Sequence, residues 1–463
     1  MKPMRNMLSK ISAACLCLLI LLCSCGQSSK NGNETEISSD GISSHTLSDD
    51  ANPDKTNDDK NSASPMQVIS SGNGIIASGM AGNEQGCYEI FYRPTGDGNI
   101  IYTDYATQNR IYLSSQVAGS YHDSTDTSWL ESTVGGCYFA LTDKNLFLFK
   151  LNTPGFTADD SEESRGYIAR YDLNGANRQV LTWLDSNETI ADGCIVSDSE
   201  NIYYLEYFIN DDGSTTPTIL TKLNIRTGEK KQICQLAQDS RHFIVGTYKD
   251  KMILKTILNP VHFTAASRAE DIMSAYKQQI HEISLLSANG QQQFVCKWRQ
   301  DERSAVFAND TMYYWNHEKP GIYQWDFENN SEKCLYSGAS IGADGKNYAK
   351  LSLLSDLYDN HILATAQESN DSSDSIRFAY DLESNTFSAL TLSANERNVE
   401  ILEEGSQFFL VQTGLKEYPV TDYSPDGEEM VTKMILPEIY LMEKEDYWNN
   451  LPNYIPIKEN VYK

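Results

Sequence analysis

The chain has 463 residues, with 64 acidic and 37 basic side chains, so its formal net charge at pH 7 is −27. A nucleic-acid-binding protein needs a basic face that displaces phosphate counterions, and no cluster of Lys and Arg of that kind is present, which argues against nucleic acid as a partner. The same acidity argues against a body that lies flat on anionic lipid, and it favours solubility at a crowded surface.

The N-terminus has the order of a secretion signal. Basic residues at Lys2, Arg5 and Lys10 precede an apolar stretch from Ile11 to Leu22. This stretch is too short to cross a membrane and remain there. We therefore expect residues 1–24 to be a signal peptide.

The apolar stretch ends in Leu22-Cys23-Ser24-Cys25, followed by Gly26. This ending resembles the lipobox of bacterial lipoproteins, in which the Cys receives a diacylglyceryl group and becomes the mature N-terminus. The resemblance implies lipidation of Cys25 and attachment to the outer face of the cytoplasmic membrane without a spanning helix. An ordinary cleaved signal with incidental cysteines is the alternative.

Residues 25–65 are predicted to be the lipidated Cys and a disordered tether. They consist mainly of Ser, Asn, Asp, Thr and Gly and have almost no aromatic or aliphatic residues. Such a segment cannot bury enough apolar surface to offset the entropy of ordering. About forty flexible residues span roughly 35 Å on average, so the tether holds the folded body away from the bilayer.

A short phrase recurs seven times in the remainder of the chain: a turn rich in Asp, Asn or Gly, then a burst of aliphatic and aromatic residues. The leading apolar residues of the seven copies are Ile100, Leu146, Ile202, Met252, Met312, Ile362 and Phe408. A period of about fifty residues in a strand-only pattern is typical of a ring of four-stranded blades. We predict an all-β fold, a single β-propeller over residues 66–463 with seven blades, each containing the phrase as its second strand. Six or eight blades remain possible.

The third repeat displays the four strands of a blade most clearly, at residues 194–197, 202–208, 219–225 and 231–236. Asn174-Gly175 and Asn289-Gly290 mark tight turns between third and fourth strands of other repeats, because this pair readily adopts positive φ angles. Closure of the ring is expected from Gln67–Ile69 or Gly74–Ile76, either of which could give a strand to the last blade. The aromatic tail from residue 447 to 462 is expected to pack on the rim.

Six cysteines lie outside the signal. Cys87, Cys137 and Cys194 are predicted to open first strands, and Cys234, Cys296 and Cys334 to lie in last strands. Equivalent positions in different blades do not face each other, so these residues are predicted to be free thiols buried in the core rather than disulfides or metal ligands.

The phrase Ile101-Tyr102-Thr103-Asp104 and the hairpin Tyr171-Asp172-Leu173-Asn174-Gly175 resemble the YWTD-type propellers related to the low-density lipoprotein receptor. The resemblance covers about residues 85 to 445. It implies a propeller, a fold that occurs in lipoproteins of Gram-positive bacteria, and it implies no particular activity.

Irregular segments are where a propeller carries its function, and the longest repeat contains a predicted helix at 267–282. Ser267 and Glu270 match a capping box, and Ile272, Tyr276 and Ile280 follow at helical spacing. The helix either packs on its own propeller or presents Tyr276 to a partner.

Two long loops add further candidates. The loop at 117–135 contains Asp123, Asp126 and Trp129, and an aromatic ring beside acids suits sugar binding; a purely structural loop is the alternative. The loop at 152–165 carries four acids, at 159, 160, 162 and 163, which could bind calcium or a basic ligand or could simply be solvated.

Sequence motifs predict no catalytic residue, no metal site and no cofactor. Gly338-Ala339-Ser340-Ile341-Gly342 matches the letters of a nucleophile elbow, but it lies between blades instead of between a strand and a helix.

We therefore predict a membrane-anchored extracytoplasmic lipoprotein that acts as an interaction module, with a protein or cell-envelope glycan bound at its loop-bearing face. One alternative is a surface carbohydrate-active hydrolase or lyase with axial carboxylates. Another is an accessory subunit of an envelope transporter or assembly.

Overall fold

The computed structural model describes residues 65–70, 79–93, 95–115, 121, 123–155, 164–258, 268–308, 310–338, 350–367, 375–423 and 429–461. The chain divides into two units: residues 65–209 with 215–463, and residues 1–64 with 210–214. In the smaller unit, the Asn210 N–H donates to the Ser214 carbonyl at 2.8 Å and closes a turn. The signal peptide, Cys25, most of the tether and the 159–163 acids lie outside the described residues. Among the described residues, no helix has the length and apolar character needed to cross a bilayer.

The larger unit is an all-β propeller of seven blades, each of them an antiparallel sheet, as predicted. Blade one contains Met80–Gly82, Gly86–Tyr92, Gly98–Asp104 and Asn109–Tyr112; blade two contains Cys137–Leu141, Asn145–Lys150, Tyr167–Asp172 and Gln179–Trp183; blade three contains Val196–Ser197, Asn201–Phe208, Ile219–Asn224 and Lys230–Gln235; and blade four contains Ser240–Tyr248, Lys251–Leu258, Ile280–Ser287 and Gln292–Arg299.

Blade five contains Arg303–Ala308, Thr311–Asn316, Gly321–Asp326 and Ser331–Ser337; blade six contains Lys350–Tyr358, His361–Gln367, Ser375–Asp381 and Thr386–Leu390; and blade seven contains Glu400–Glu404, Phe408–Tyr423, Glu429–Glu443 and Ile455–Pro456. The additional elements are strands Gln67–Val68, Trp129–Leu130, Glu188–Ile190, Ser393–Ala394, Arg397–Asn398 and Lys458–Glu459, and helices α1 (Ala269–Lys277) and α2 (Lys444–Trp448).

The two ends of the ring differ. Turns between first and second strands and connections between third and fourth strands lie at one end, here called the turn face. The opposite end, the insertion face, carries the connections between blades and the second-to-third loops. The three long sequence insertions all lie at the insertion face.

Six copies of the recurring phrase form second strands, as predicted, but the prediction was wrong for blade one. There the phrase lies in the third strand, Gly98–Asp104, because Met80–Gly82 is the inner strand and Gly86–Tyr92 is the second. The periodic pattern could not reveal this shift, since Gly86–Tyr92 and Gly98–Asp104 are both apolar strands that follow a turn containing Gly.

The apolar core lies between blades. Successive residues of a strand point to opposite faces of a sheet. In blade two, Leu146 and Leu148 therefore pack against blade one, while Phe147 and Phe149 pack against blade three. Corresponding clusters lie at the other blade interfaces, so second strands are apolar on both faces.

Closure of the ring differs from the prediction. Blade seven takes all four strands from the C-terminal part of the chain, and Gln67–Val68 pairs with the inner strand of blade three. The end of the chain instead ties the ring together, because Lys458–Glu459 pairs in parallel with the outer strand of blade one. Val461 is buried against Phe91 and Ile101 of that blade. The tail is therefore a structural strap as well as part of the rim.

Residues 65–70 form a channel segment that crosses the inner strands of three blades. The Met66 N–H donates to the Lys249 carbonyl of blade four at 2.9 Å, and the Ile69 N–H donates to the Ile195 carbonyl of blade three at 2.8 Å. Ser70 forms a bridge with Ala140 of blade two. Since Met66 bonds to a turn residue and the segment is antiparallel to its neighbour, the chain enters the channel from the turn face.

The six described cysteines form no disulfide, as predicted; Cys87, Cys137, Cys194 and Cys296 are buried in the core, but the core position is wrong for Cys334, which is exposed, and Cys234 is only half-buried. Cys234, Cys296 and Cys334 lie in fourth strands, but Cys87 lies in a second strand because of the shift in blade one. Burial raises the pKa of Cys137 and Cys296 to about 12, so both thiols stay protonated at neutral pH.

Helix α1 is shorter than the predicted 267–282. Its N-cap is Arg268, which caps without a side-chain hydrogen bond, and Ser267 of the predicted capping box lies outside the described residues. The helix ends at Lys277 because Ile280 already pairs with Leu258 in blade four. Ladder pairing therefore overrides the helical spacing at its C-terminal end.

The channel segment can be tested as a stabilising element. Ile69 is 5% exposed and packs in the interface of blades two and three. We expect Ile69→Ala to lower the free energy of unfolding by about 2–5 kcal/mol, the usual cost of truncating a buried aliphatic side chain. The adjacent Val68→Ala is the control, since Val68 is 38% exposed. Equal losses in urea titrations of the two variants would contradict the assigned role.

Candidate functional site

The axial channel was the expected place for a catalytic carboxylate pair in the alternative hydrolase or lyase. The channel segment occupies its turn-face end, with Met66 and Ile69 buried against the inner strands. The channel segment narrows the channel at this end, so less room is left there for a substrate. The geometry of the channel therefore does not favour the alternative.

The most closely spaced buried acids lie elsewhere, between blades two and three. The side chains of Glu188 and Glu206 are both 0% exposed, and Lys230 contacts Glu188 at 2.6 Å and Glu206 at 3.7 Å. Burial and the charge of Glu206 together raise the pKa of Glu188 to about 7, against the opposing effect of the hydrogen bond and charge of Lys230. Because no part of either carboxylate reaches solvent, this cluster can share a proton within the core but cannot contact a substrate.

A surface cleft of about 580 Å³ opens on the turn face between blades six and seven. Its walls are the first turn of blade six, the first turn of blade seven and helix α2. The lining residues are Asp359, His361, Ser406, Gln407, Phe408, Glu443, Lys444, Glu445, Trp448 and Asn449. We call it the blade 6–7 cleft.

An aromatic stack forms the first part of this cleft. The rings of His361 and Trp448 lie 4.0 Å apart with an interplanar angle of 17°. The Trp448 indole N–H donates to Asp359 Oδ2 at 3.0 Å, and His361 Nδ1 lies 2.7 Å from the Asp359 carbonyl oxygen. The turn is tight, since Asp359 and Asn360 both have positive φ angles. These bonds hold the stack in one orientation.

Lys444 holds the acidic wall of the cleft. Its ammonium lies 2.6 Å from Glu404 Oε1 and 3.7 Å from Asp359 Oδ1. The Asp359 N–H donates to the same Glu404 oxygen at 3.0 Å. Both carboxylates are thus engaged by one cation, so they form a fixed wall rather than a free acid and base.

The rim of the cleft is polar and exposed. Ser406, Gln407 and Asn449 offer hydroxyl and amide groups, and Glu443 and Glu445 add two carboxylates. Amides and carboxylates can hydrogen-bond a ligand rich in hydroxyl groups, while aromatic rings pack against its apolar faces. The cleft can therefore bind a ligand that has both kinds of surface. Nowhere in the described ranges do three His, Cys, Asp or Glu side chains group closely enough to hold a metal ion.

The structure places three predicted site residues in one loop of the insertion face. The Asp126 carboxylate accepts hydrogen bonds from Ser128 and Ser114, while Asp123 accepts from Thr125. The Trp129 indole N–H donates to Asp97 at 3.1 Å. The loop thus uses these groups to fix its own conformation; sugar binding by them stays a prediction.

Tyr276 lies on helix α1 and is 44% exposed. The helix buries Ala275 instead, so Tyr276 remains accessible at the insertion face, and a docking role stays a prediction. Sequence reasoning did not find the blade 6–7 cleft. The aromatic tail around Trp448 was the available signal, but nothing in the sequence indicated that it meets the turn at Asp359, about 90 residues earlier.

Comparisons with known proteins found solved structures that resemble this chain at low sequence identity. No protein-family model matches the chain, and no curated protein matches it. An oligogalacturonate lyase from Vibrio parahaemolyticus is 10% identical, covering 80% of this chain and 85% of that chain, with a TM-score of 0.41. TolB from Acinetobacter baumannii is 14% identical, covering 76% and 79%, with a TM-score of 0.28. An acylaminoacyl peptidase from Pyrococcus horikoshii is 12% identical, covering 67% and 52%, with a TM-score of 0.38. No activity is transferred from these proteins.

The buried acid pair leads to a prediction about pH. The raised pKa of Glu188 contributes stability that is fully present below its unfolded value of 4.5 and is lost as pH rises through about 7. Between pH 5 and pH 8 this group should change the free energy of unfolding by about 2–3 kcal/mol. We expect that change to disappear in Glu188→Gln, which has no carboxyl group to titrate.

Burial lowers the pKa of His242 and His281, so these two residues make the protein more stable as pH rises, the opposite of Glu188. The variant is therefore compared with wild type, in which the histidines contribute equally. Glu229→Gln, which alters an exposed carboxylate beside Lys230, is the control. Identical pH profiles for the two variants in chemical denaturation would refute the prediction.

Proposed function

We propose that this chain is a membrane-anchored extracytoplasmic lipoprotein whose propeller is a binding module for a cell-envelope glycan. The observation that carries the proposal is the blade 6–7 cleft, which combines half-buried aromatic rings with an exposed rim of amides and carboxylates. The proposed lipid anchor is supported by the lipobox-like sequence that ends at Cys25. The proposed relation to the YWTD-type propellers is supported by Ile101–Asp104.

The position of the cleft fits an anchored protein. The chain enters the channel from the turn face at Met66, and the cleft opens on the same face. A lipid at Cys25 would keep the propeller among the polymers close to the membrane. Glycans of the envelope are the hydroxyl-rich ligands available at that place.

The charge of the cleft selects among glycans. Glu443, Glu445 and Asp359 outnumber Lys444, and the whole chain is strongly acidic. Because like charges repel, polyanionic glycans are disfavoured, and neutral or amino sugars are the expected ligands.

The glycan proposal is tested by titrating soluble oligosaccharides of N-acetylglucosamine into the purified chain by calorimetry. We expect saturable binding that Gln407→Ala weakens about threefold to tenfold, the effect of losing one hydrogen bond of about 1 kcal/mol. Gln291→Ala changes an exposed Gln of blade four and should bind like wild type. Polygalacturonate, a polyanion, should bind more weakly than the neutral oligosaccharide.

Other outcomes decide against the proposal. Absence of binding to any envelope glycan, together with co-purification of one stoichiometric protein from membranes, would favour a protein ligand. Release of reducing ends from the oligosaccharide would favour the hydrolase alternative.

Lipid attachment is tested separately. In Cys25→Ala we expect the chain to leave the membrane fraction, because the propeller then has no acyl chains to partition into the bilayer. Cys23→Ala is the matched control and should remain membrane-bound. Mass spectrometry of the mature N-terminus is the measurement, and an unmodified Cys25 in the wild-type chain would refute lipidation.

A further inference from the structure

The channel segment leaves part of the channel open. It bonds to blades two, three and four, and within the described residues no further strand pairs with the channel-facing edges of blades five and six. A cavity of about 320 Å³ remains there, bounded by the segment and by the inner strands of blades three to six. Cavities of this size are at the small end of those that bind organic ligands in proteins.

The walls of the cavity are apolar and firmly packed. Val245, Ile253 and Phe307 belong to the core between blades four and five and are each less than 9% exposed. On the opposite wall, Val68 lines the cavity and is 38% exposed. An apolar body placed between Val68 and Phe307 would remove this exposed surface from water, which is favourable.

Gly246 accounts for the open volume. It lies in the inner strand of blade four, where the register with the second strand shifts. A Cβ atom at this position would meet Ile253 and Phe307 only at 3.5 and 3.9 Å, which are ordinary contact distances. The backbone therefore tolerates a side chain at residue 246, and the absence of one leaves room in the channel.

The polar side chains that line the cavity are those of Gln67, Thr247, Asp310 and Thr311. Asp310, in the first turn of blade five, is the one carboxylate among the described lining residues, and Thr247 adds a hydroxyl group. Asp310 is exposed, so its charge costs little desolvation. A carboxylate at the mouth of an apolar cavity, in a chain of net charge −27, favours a cation.

We propose that this cavity binds a small organic cation, with its apolar body between Val68 and Phe307 and its ammonium group at Asp310. The site is distinct from the blade 6–7 cleft, since the two share no lining residue. Its ligand is recognised by shape through the apolar walls and by charge through one carboxylate.

Three probes of nearly equal shape test the proposal on the full-length chain: phenethylamine, 2-phenylethanol and phenylacetate. We expect phenethylamine to bind at least about tenfold more tightly than 2-phenylethanol, a difference of about 1.4 kcal/mol, and phenylacetate to bind most weakly. Saturation-transfer NMR and calorimetry measure the three affinities. Equal affinities of the amine and the alcohol would overturn the role of Asp310, and absence of saturable binding by the amine would overturn the site.

Variants separate the two parts of the site. Asp310 has a φ of +56°, a conformation that Asn tolerates, so Asp310→Asn should keep the fold, remove the preference for the amine and leave the alcohol unchanged. Asp239→Asn is the matched control, because Asp239 has a φ of +62° and lies outside the cavity. The control should bind the amine like wild type.

Filling the cavity tests its location. Gly246→Val should abolish binding of both the amine and the alcohol while the thermal transition stays cooperative. If this variant does not fold, Ala308→Leu fills the same cavity from blade five. Unchanged amine binding in a folded, cavity-filled variant would overturn the proposal.

Discussion

Packing between separate sheets is the interaction on which this structure depends. Each blade satisfies its backbone hydrogen bonds within its own sheet. Neighbouring blades are therefore held mainly by apolar side chains that meet face to face, one cluster at each interface. Because such contacts are not directional, backbone links between blades help to fix the ring. Lys458–Glu459 extends the sheet of blade one, and the channel segment bonds to blades two, three and four.

The same arrangement decides where ligands can bind. A surface buried between blades is unavailable, so binding is left to the channel and to the ends of the ring. The cavity beside Val68 exists because the channel segment bonds to one side of the channel. The blade 6–7 cleft exists because helix α2 connects the third and fourth strands of blade seven and places Trp448 over the first turn of blade six. Both sites open toward the turn face, the face from which the chain enters the propeller.

Charged groups follow the same division between interior and ends. Glu188 and Glu206 are fully buried between blades and share Lys230, so the raised pKa of Glu188 acts on the stability of the protein and not on a ligand. Asp359 and Glu404 are partly exposed at the end of the ring, where Lys444 holds them in place. Only the second group is positioned to meet a ligand. A carboxylate pair in a propeller is therefore to be judged by its position relative to the blade interfaces.

The sequence by itself determined the fold class, the number of blades and the free state of the cysteines. These depend on local features: the spacing of apolar bursts, the turn residues between them, and the repeat positions of the thiols. The shift in blade one escaped this reasoning because Gly86–Tyr92 and Gly98–Asp104 are both apolar strands that follow a turn containing Gly. Helix α1 ends early because pairing of Ile280 with Leu258 outweighs the helical spacing.

Tertiary structure alone decided how the ring closes and which polar groups remain available. Strand pairing across more than a hundred residues has no local signature, so neither the pairing of Gln67–Val68 with blade three nor that of Lys458–Glu459 with blade one could be read from composition. The acids at 123 and 126 appeared as candidates from their sequence surroundings, yet hydrogen bonds within the loop already engage them. Trp448 and Asp359 became candidates only where the fold brings them together. The physical reason is that repeat spacing encodes local strand formation, whereas a site requires distant residues to meet.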